Sequence, residues 1–132
     1  MSISNRIFLI FNFLFFVSCS HYINEIEAEN IFSEELETVM FIPGEMSNFT
    51  VEDCAKLITG VLNEKSDISP WSYSIEPNLV YNNISENLFI ARKLHAKINV
   101  EISILDFLTF MQQSIYSGYM LRGSEIVFYG VR

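Results

Sequence analysis

The stretch that decides the fold runs from Lys93 to Tyr129 and begins with KLHAKINVEI (Lys93–Ile102). Apolar and polar residues alternate along this first part, so that its apolar side chains share one face: Leu94, Ala96, Ile98, Val100 and Ile102. Alternation of this kind is typical of a strand that buries one face. We therefore expect a half-buried β-strand over Lys93–Ile102.

The residues after this strand predict a capped helix and a closing hairpin. Ser103 offers a hydroxyl N-cap, Asp106 follows at the third helical position, and helical periodicity continues over Ile104–Ile115. We expect Gly118 to end the helix, because glycine tolerates the left-handed conformation found there. Two short runs then flank a turn at Arg122-Gly-Ser and predict a hairpin: Tyr119–Leu121 and Glu125–Tyr129.

The first half of the folded region follows a similar plan. Thr38–Ile42 is a short apolar run that ends at Pro43-Gly44, and Trp71–Ile75 alternates, so both predict strands. Between them, Thr50 and Asp53 are placed as an N-cap and a third helical residue, and the helix is expected to reach about Glu64. Acidic residues in a first turn favour the helix dipole, so Glu52 and Asp53 are interpreted as helix-start residues. The sequence predicts an α+β fold, in the order β-α-β-β-α-β-β, with two helices packed on small sheets.

The N-terminus has the pattern of a secretory signal peptide. Arg6 precedes an apolar run over Ile7–Val17, which is too short to span a bilayer as a helix but matches the core of a signal peptide. The run ends in Phe16-Val-Ser-Cys-Ser20, which resembles the lipobox of bacterial lipoproteins, and that resemblance implies that Cys19 is lipidated and becomes the mature N-terminus. Two alternatives stay open: ordinary cleavage after Ser18 or Ser20, and a retained anchor.

Composition divides the chain into three parts and argues against one class of partner. Residues 1–18 are the predicted signal peptide, residues 19–37 an acidic tether with six glutamates, and residues 38–132 the folded domain. The net charge is −8, and the basic residues are scattered. Nucleic-acid binding requires clustered basic residues, so we expect no nucleic-acid partner.

The sequence offers no constellation that predicts catalysis or metal binding. The two histidines, His21 and His95, have no cysteine or histidine at ligand spacing, and no glycine-rich phosphate loop is present. Cys54 lies on the apolar side of the first predicted helix, which favours a buried, inert thiol over a reactive one. A Cys19–Cys54 disulfide would require Cys19 to be unmodified. We expect no enzyme activity and no cofactor.

Ile98–Tyr129 resembles the short N-terminal domain of secretins and TonB-dependent receptors. In that family an apolar strand leads to a small or polar residue, a helix with Leu-x-x-x-Leu spacing, and a hairpin that begins with glycine and an aromatic residue. The matching residues here are Val100, Ile102, Ser103, Ile104, Leu108, Met111, Gly118, Tyr119, Gly123, Ile126 and Val127. The resemblance implies a periplasmic domain that docks with other proteins. No barrel, plug or further secretin domain follows Arg132, so the pore or transport function of larger relatives is not expected.

These observations together predict an exported, lipid-anchored protein of the bacterial cell envelope that acts as a non-enzymatic interaction module. It would bind another envelope protein through an edge strand or through the outer side of the second helix, where Phe110 and Tyr116 form a candidate partner surface. The alternative is a small ligand-binding or enzymatic domain with a cleft between the two βαβ halves, around His95, Glu101 or Arg122. A weaker alternative is a eukaryotic secreted protein glycosylated at Asn48 or Asn83.

Overall fold

The computed structural model describes residues 31–68 and 70–131, and their fold is α+β, as the sequence predicts. Cys19, the signal peptide and most of the acidic tether lie outside the described residues. Among the described residues, no helix is both long and apolar enough to cross a membrane.

Four helical segments occur in the described part of the chain. Residues 31–38 form α1, and the other three are α2 (Val51–Lys65), α3 (Glu86–Ala91) and α4 (Ile104–Ile115). The backbone N–H of Asp53 donates to the Thr50 hydroxyl oxygen, and the Thr50 N–H donates to the Asp53 carboxylate, which completes a capping box. The N–H of Asp106 likewise donates to the Ser103 hydroxyl oxygen at 3.0 Å, so the predicted starts of both long helices are confirmed.

Seven short strands form three sheets in the described residues. The strands are β1 (Met40–Phe41), β2 (Gly44–Phe49), β3 (Ser72–Ile75), β4 (Leu94–Ile98), β5 (Ile102–Ser103), β6 (Ser117–Arg122) and β7 (Glu125–Gly130). β1 pairs with β5 and β2 pairs with β4, both antiparallel. The largest sheet has the order β3-β7-β6, in which β3 runs parallel to β7 and β6 runs antiparallel to it.

The sheets interleave the two halves of the chain. Each of the three sheets joins a strand that precedes α3 to at least one strand that follows it. Strands from the first half of the described chain are therefore hydrogen-bonded to strands from the second half in every sheet.

The core lies where the two long helices meet the sheets. α2 contacts β2 and β3, whereas α4 contacts β4, β5 and β6. Fully buried side chains come from every layer: Ile58 and Leu62 of α2, Phe107, Leu108 and Met111 of α4, and Ile126 and Phe128 of β7. Leu36 of α1 is also buried in this core, so the folded part includes residues that the sequence placed in the tether.

Two predictions in the second half are wrong. The expected single strand Lys93–Ile102 is divided into β4 and β5, which belong to different sheets, and Val100 between them is exposed. The last helix is ended by Tyr116, which adopts the left-handed conformation (φ 53°, ψ 42°) that was expected at Gly118. Gly118 lies instead within β6.

The first half and the connection contain more structure than the sequence predicts. The strand expected over Thr38–Ile42 is confined to Met40–Phe41, because Thr38 still belongs to α1. β2 was not predicted, since the Gly44–Phe49 sequence is polar and its partner β4 is distant in the chain. α3 was also missed because its six residues show no clear helical periodicity.

Candidate protein-interaction surfaces

Several of the polar side chains form hydrogen bonds that hold the fold together. The backbone N–H of Thr50 and its hydroxyl lower the pKa of Asp53, and the phenol of Tyr73 donates to Glu52 at 3.2 Å. Nδ1 of His95 accepts from the backbone N–H of Asn48 at 3.3 Å. Among the described residues, no group of three or more histidine, cysteine, aspartate or glutamate side chains could hold a metal ion.

Cys54 is a free thiol with an exposed fraction of 0%. Burial, with a smaller effect from the charge of Asp53, raises the pKa of the thiol to about 12. A nucleophilic cysteine needs access and a lowered pKa, and Cys54 has neither. The prediction of a buried core thiol is confirmed.

Phe110 and Tyr116, the two residues of the predicted partner surface, have different surroundings. Phe110 is half-buried against the core, and its ring centroid lies 6.5 Å from that of Phe107. Tyr116 is 54% exposed. Tyr116 is thus the more accessible of the two side chains.

Arg92 holds Tyr116 in place. Its guanidinium donates to the main-chain oxygens of Ile115 and Tyr116 at 3.2 and 2.9 Å, and it lies 5.1 Å from the ring centroid of Phe89 and 5.9 Å from that of Tyr116. A cation at the carboxyl end of α4 also interacts favourably with the helix dipole. These contacts compensate for the left-handed backbone of Tyr116, a conformation that costs a non-glycine residue about 1–2 kcal/mol.

α3 contributes further exposed apolar side chains near this point. Phe89 is buried, whereas its neighbours Leu88 and Ile90 are 70% and 53% exposed. On a helix, the residues before and after a buried position point to either side of it. Arg92 contacts both Phe89 and Tyr116, so it connects α3 to the carboxyl end of α4. Leu88, Ile90 and Tyr116 are the exposed apolar side chains of these two segments.

A second surface is the outer edge of β3, at one side of the three-stranded sheet. The N–H of Ser72 donates to the carbonyl oxygen of Ser124, just before β7, at 3.1 Å, and the N–H of Glu76 donates to that of Phe128 in β7 at 2.8 Å. Peptide groups alternate in direction along a strand, so those of Tyr73 and Ile75 point away from β7. No described group forms a hydrogen bond with these outward N–H and C=O groups.

An open groove of about 460 Å³ lies at the end of this edge. It is lined by Ile75, Glu76, Pro77, Asn78, Leu79 and Glu86, which connect the end of β3 to the start of α3. Glu86 forms no ion pair with a described residue. A chain segment lying along β3 would therefore pass directly into an open groove with a mixed polar and apolar lining, which includes the carboxylate of Glu86.

Glu76 is fixed by a salt bridge that crosses the outer face of this sheet. Arg122 donates to both carboxylate oxygens of Glu76, at 2.6 and 3.0 Å, and this contact lowers the pKa of Glu76. The strand registers place Val127 beneath the bridge, and Val127 is 0% exposed although it lies on the face away from the helices. The bridge thereby ties β6 to the end of β3.

A smaller groove of about 220 Å³ lies beside α1 and is lined by Ile31, Glu34, Glu35, Thr38, Asp67 and Ile68. The alternative hypothesis of a ligand-binding or enzymatic domain placed a polar cleft around His95, Glu101 or Arg122. These three residues line neither of the two grooves. Comparison of the chain with protein-family models, curated proteins and solved structures found no match.

Sequence reasoning did not locate the β3 edge. Trp71–Ile75 was predicted as a strand, but its place at the outside of a sheet depends on pairing with β7, more than fifty positions later in the chain. Pro77, just after the strand, was the available signal, because proline is tolerated mainly at sheet edges and strand ends.

Proposed function

We propose that the chain is an exported, lipid-anchored protein of the bacterial cell envelope whose folded part is a non-enzymatic protein-interaction module. Its partner is an envelope protein that supplies an extended segment, which binds along β3 as a fourth strand of the sheet. The observation that carries this proposal is the pair of outward peptide groups at Tyr73 and Ile75, which no described group pairs with and which lie next to an open groove. Strand addition of this kind is a recurrent mode of peptide recognition.

The small number of outward peptide groups on β3 limits how tightly a partner segment can bind. Two residues offer up to four main-chain hydrogen bonds, and each contributes a net of about 0.5–1.5 kcal/mol. These bonds alone correspond to millimolar or weaker binding after the entropy of association is subtracted. Affinity and specificity must therefore come from side chains that enter the groove beside Ile75 and Leu79.

The charge of the groove indicates the chemistry of the segment. Glu76 is already neutralised by Arg122, whereas Glu86 has no cation beside it among the described residues. An apolar side chain followed by a lysine or arginine would match the apolar part of the groove lining, at Ile75 and Leu79, and the carboxylate of Glu86. The net charge of −8 also favours a basic partner during encounter.

A matched pair of substitutions at Ile75 tests strand addition. Ile75→Pro and Ile75→Ala both replace the isoleucine side chain by a smaller one, but only proline removes the outward N–H, which takes no part in the pairing with β7. A photo-crosslinking residue at Ser72, which is exposed beside the edge, would report the bound partner in cells. We expect the cross-linked product to disappear with Ile75→Pro and to persist with Ile75→Ala.

The same pair gives a clear negative outcome. Equal cross-linking in the two variants would show that the edge hydrogen bonds are not used, and the β3 binding mode would be rejected. Urea denaturation of both variants provides the control, because a loss of fold in Ile75→Pro alone would also remove the product. In that case Glu86→Lys, at an exposed groove position, replaces it, and an undiminished product with this variant rejects the site.

The lipid anchor is tested separately. Cells that produce the chain are labelled with a clickable palmitate, and wild type is compared with Cys19→Ala. We expect label on the wild type and none on the variant. An unlabelled wild type would remove the anchor from the proposal and leave the interaction module to be judged on the β3 experiment.

A further inference from the structure

The salt bridge between Arg122 and Glu76 fixes the direction of the Glu76 carboxylate. Arg122 donates to one carboxylate oxygen at 2.6 Å and to the other at 3.0 Å, and the hydroxyl of Ser74 donates to Oε2 at 3.3 Å. Bidentate pairing of an arginine with a carboxylate sets orientation as well as charge. The position of this carboxylate therefore depends on a residue of β6, at the opposite edge of the sheet.

Glu76 is also one of the residues that line the groove at the end of β3, whereas Arg122 and Ser74 are not. Tyr73 and Ile75 pack against the core, so Ser74 between them lies on the outer face of the sheet. Both side chains that hold the Glu76 carboxylate thus lie outside the groove. They draw the carboxylate toward the outer face of the sheet and away from the groove.

The main chain around Glu76 is held by hydrogen bonds. The Glu76 N–H donates to the carbonyl oxygen of Phe128 at 2.8 Å, and the Glu76 carbonyl oxygen accepts from the N–H of Leu79 at 3.1 Å. The carbonyl oxygen of Pro77 accepts from the N–H of Gly130 at 3.0 Å. A change in the position of the carboxylate therefore requires rotation of the Glu76 side chain itself, and the salt bridge opposes that rotation.

Arg122 is the cation on which the charge of Glu76 depends. Among the described residues, no other lysine, arginine or histidine lies within salt-bridge distance of Glu76. Arg122 also lies 3.7 Å from a carboxylate oxygen of Glu125, on the side away from the groove. With the bridge formed, the groove offers a basic residue one carboxylate, that of Glu86. Without the bridge, Glu76 would offer a second.

We propose that Arg122 is a specificity-determining residue of the β3 site, because it withdraws the Glu76 carboxylate and so restricts the groove to partner segments with one basic residue. This inference rests on the proposed addition of a strand at β3. A second lysine or arginine in the segment would have to compete with a bidentate pair that is already formed. An ion pair at an exposed site strengthens binding by about two- to fivefold, and Arg122 prevents that gain.

Selection from a displayed library of random peptides tests this role on the full chain that carries Cys19→Ala, so that no lipid anchors it. The same library is selected on the wild-type groove, on Arg122→Gln and on the double variant Arg122→Gln/Glu76→Gln. Only peptides whose binding is lost with Glu86→Lys are counted, which restricts the result to the groove. We expect one enriched basic position on wild type, two on Arg122→Gln, and one again on the double variant.

Two synthetic peptides then measure the effect by titration calorimetry. One is a sequence selected on wild type, and the other carries a second lysine at the position that becomes enriched on Arg122→Gln. The second lysine should strengthen binding to Arg122→Gln by about two- to fivefold and leave binding to wild type unchanged. Arg122→Lys retains a cation for Glu76, and Glu125→Gln leaves the bridge intact, so both variants should behave like wild type.

The possible outcomes separate this inference from the proposed function. The same single basic position on wild type and on Arg122→Gln, or an equal gain from the second lysine on both, would overturn the role of Arg122 and leave the β3 site in place. If wild type selects no peptide that depends on Glu86, the β3 site is rejected and the inference with it. Urea denaturation checks the fold, and Arg122→Met, which keeps an aliphatic stem over buried Val127, replaces Arg122→Gln if that variant unfolds.

Discussion

Replacing Gly130 by alanine should destabilise the fold through one identifiable contact. Gly130 is buried at the end of β7, and a Cβ atom added there would lie 2.7 Å from Cγ2 of Ile84 and 3.1 Å from the carbonyl oxygen of Pro77. Neither neighbour moves freely. The Gly130 N–H donates to that Pro77 oxygen at 3.0 Å, and the Ile84 N–H donates to the side chain of Asn78 at 2.7 Å.

The magnitude follows from these distances. Overpacking a well-filled site costs about 1–3 kcal/mol, and a contact below 3 Å against a buried side chain places Gly130→Ala near the middle of that range, at about 2 kcal/mol. In an Ile84→Ala background both γ-carbon contacts, at 2.7 and 3.3 Å, are absent, and the Pro77 oxygen remains. The same substitution should then cost less than about 1 kcal/mol, which gives a coupling energy of at least about 1 kcal/mol.

Urea denaturation of wild type, the two single variants and the double variant measures this coupling. The expected result is a change in denaturation midpoint at constant m-value, with the double variant more stable than the sum of the single effects predicts. Additivity within about 0.5 kcal/mol would refute the reasoning, because the cost of alanine would then not arise at Ile84.

Other local contacts give further predictions. Thr50→Ala should cost about 1 kcal/mol of unfolding free energy, and it should raise the pKa of Asp53 part of the way to its ordinary value, as measured by NMR titration. Because the folded pKa of Cys54 is about 12 and the ordinary value is 9.0, its contribution to stability is complete below pH 9 and is lost as the pH rises toward 12. Between pH 8 and 11, wild type should lose about 2–3 kcal/mol more than Cys54→Ala in urea denaturation. Arg92→Ala should cost about 1–2 kcal/mol by freeing two carbonyl oxygens at the end of α4, whereas exposed Lys93→Ala should change thermal stability little.

The features that sequence predicted well are those determined by neighbouring residues. Thr50 with Asp53, and Ser103 with Asp106, form caps whose donors and acceptors lie within one turn of each other. Such contacts form before any tertiary structure is specified, so the pattern is sufficient to place the start of a helix. The same holds for the β6–β7 hairpin, whose short turn fixes the register.

The features that the sequence did not predict depend on strands that are distant in the chain. The Gly44–Phe49 sequence becomes a strand because β4, about fifty positions away, provides hydrogen bonds for it. The division of Lys93–Ile102 into β4 and β5 has the same cause, since its two ends pair with different strands. Alternation in the sequence indicates extended structure but does not specify which strand will be the neighbour.

The end of α4 shows how tertiary contacts can override a local preference. Glycine is favoured in the left-handed conformation, yet Tyr116 adopts it and Gly118 does not. Arg92 supports the main chain at Tyr116, and the ring of Tyr129 occupies the space where a side chain at position 118 would lie. The glycine is therefore required for a close approach between β6 and Tyr129, and its role could not be read from its position after a helix.

The proposed binding edge follows from the position of β7. Its consecutive residues Ile126, Val127 and Phe128 are fully buried, so the strand is covered on both faces. A strand of this kind is typical of the centre of a sheet, and the uninterrupted apolar run was visible in the sequence. With β7 in the centre of a three-stranded sheet, β3 and β6 must be the outer strands, and each must present alternate peptide groups outward. The two edges differ in access, because β3 ends at an open groove, whereas Ser117 at the start of β6 is only 1% exposed. That difference is why the partner segment is assigned to β3 alone, and why Ile75→Pro should impair partner binding whereas Met120→Lys, on the exposed part of β6, should leave it intact.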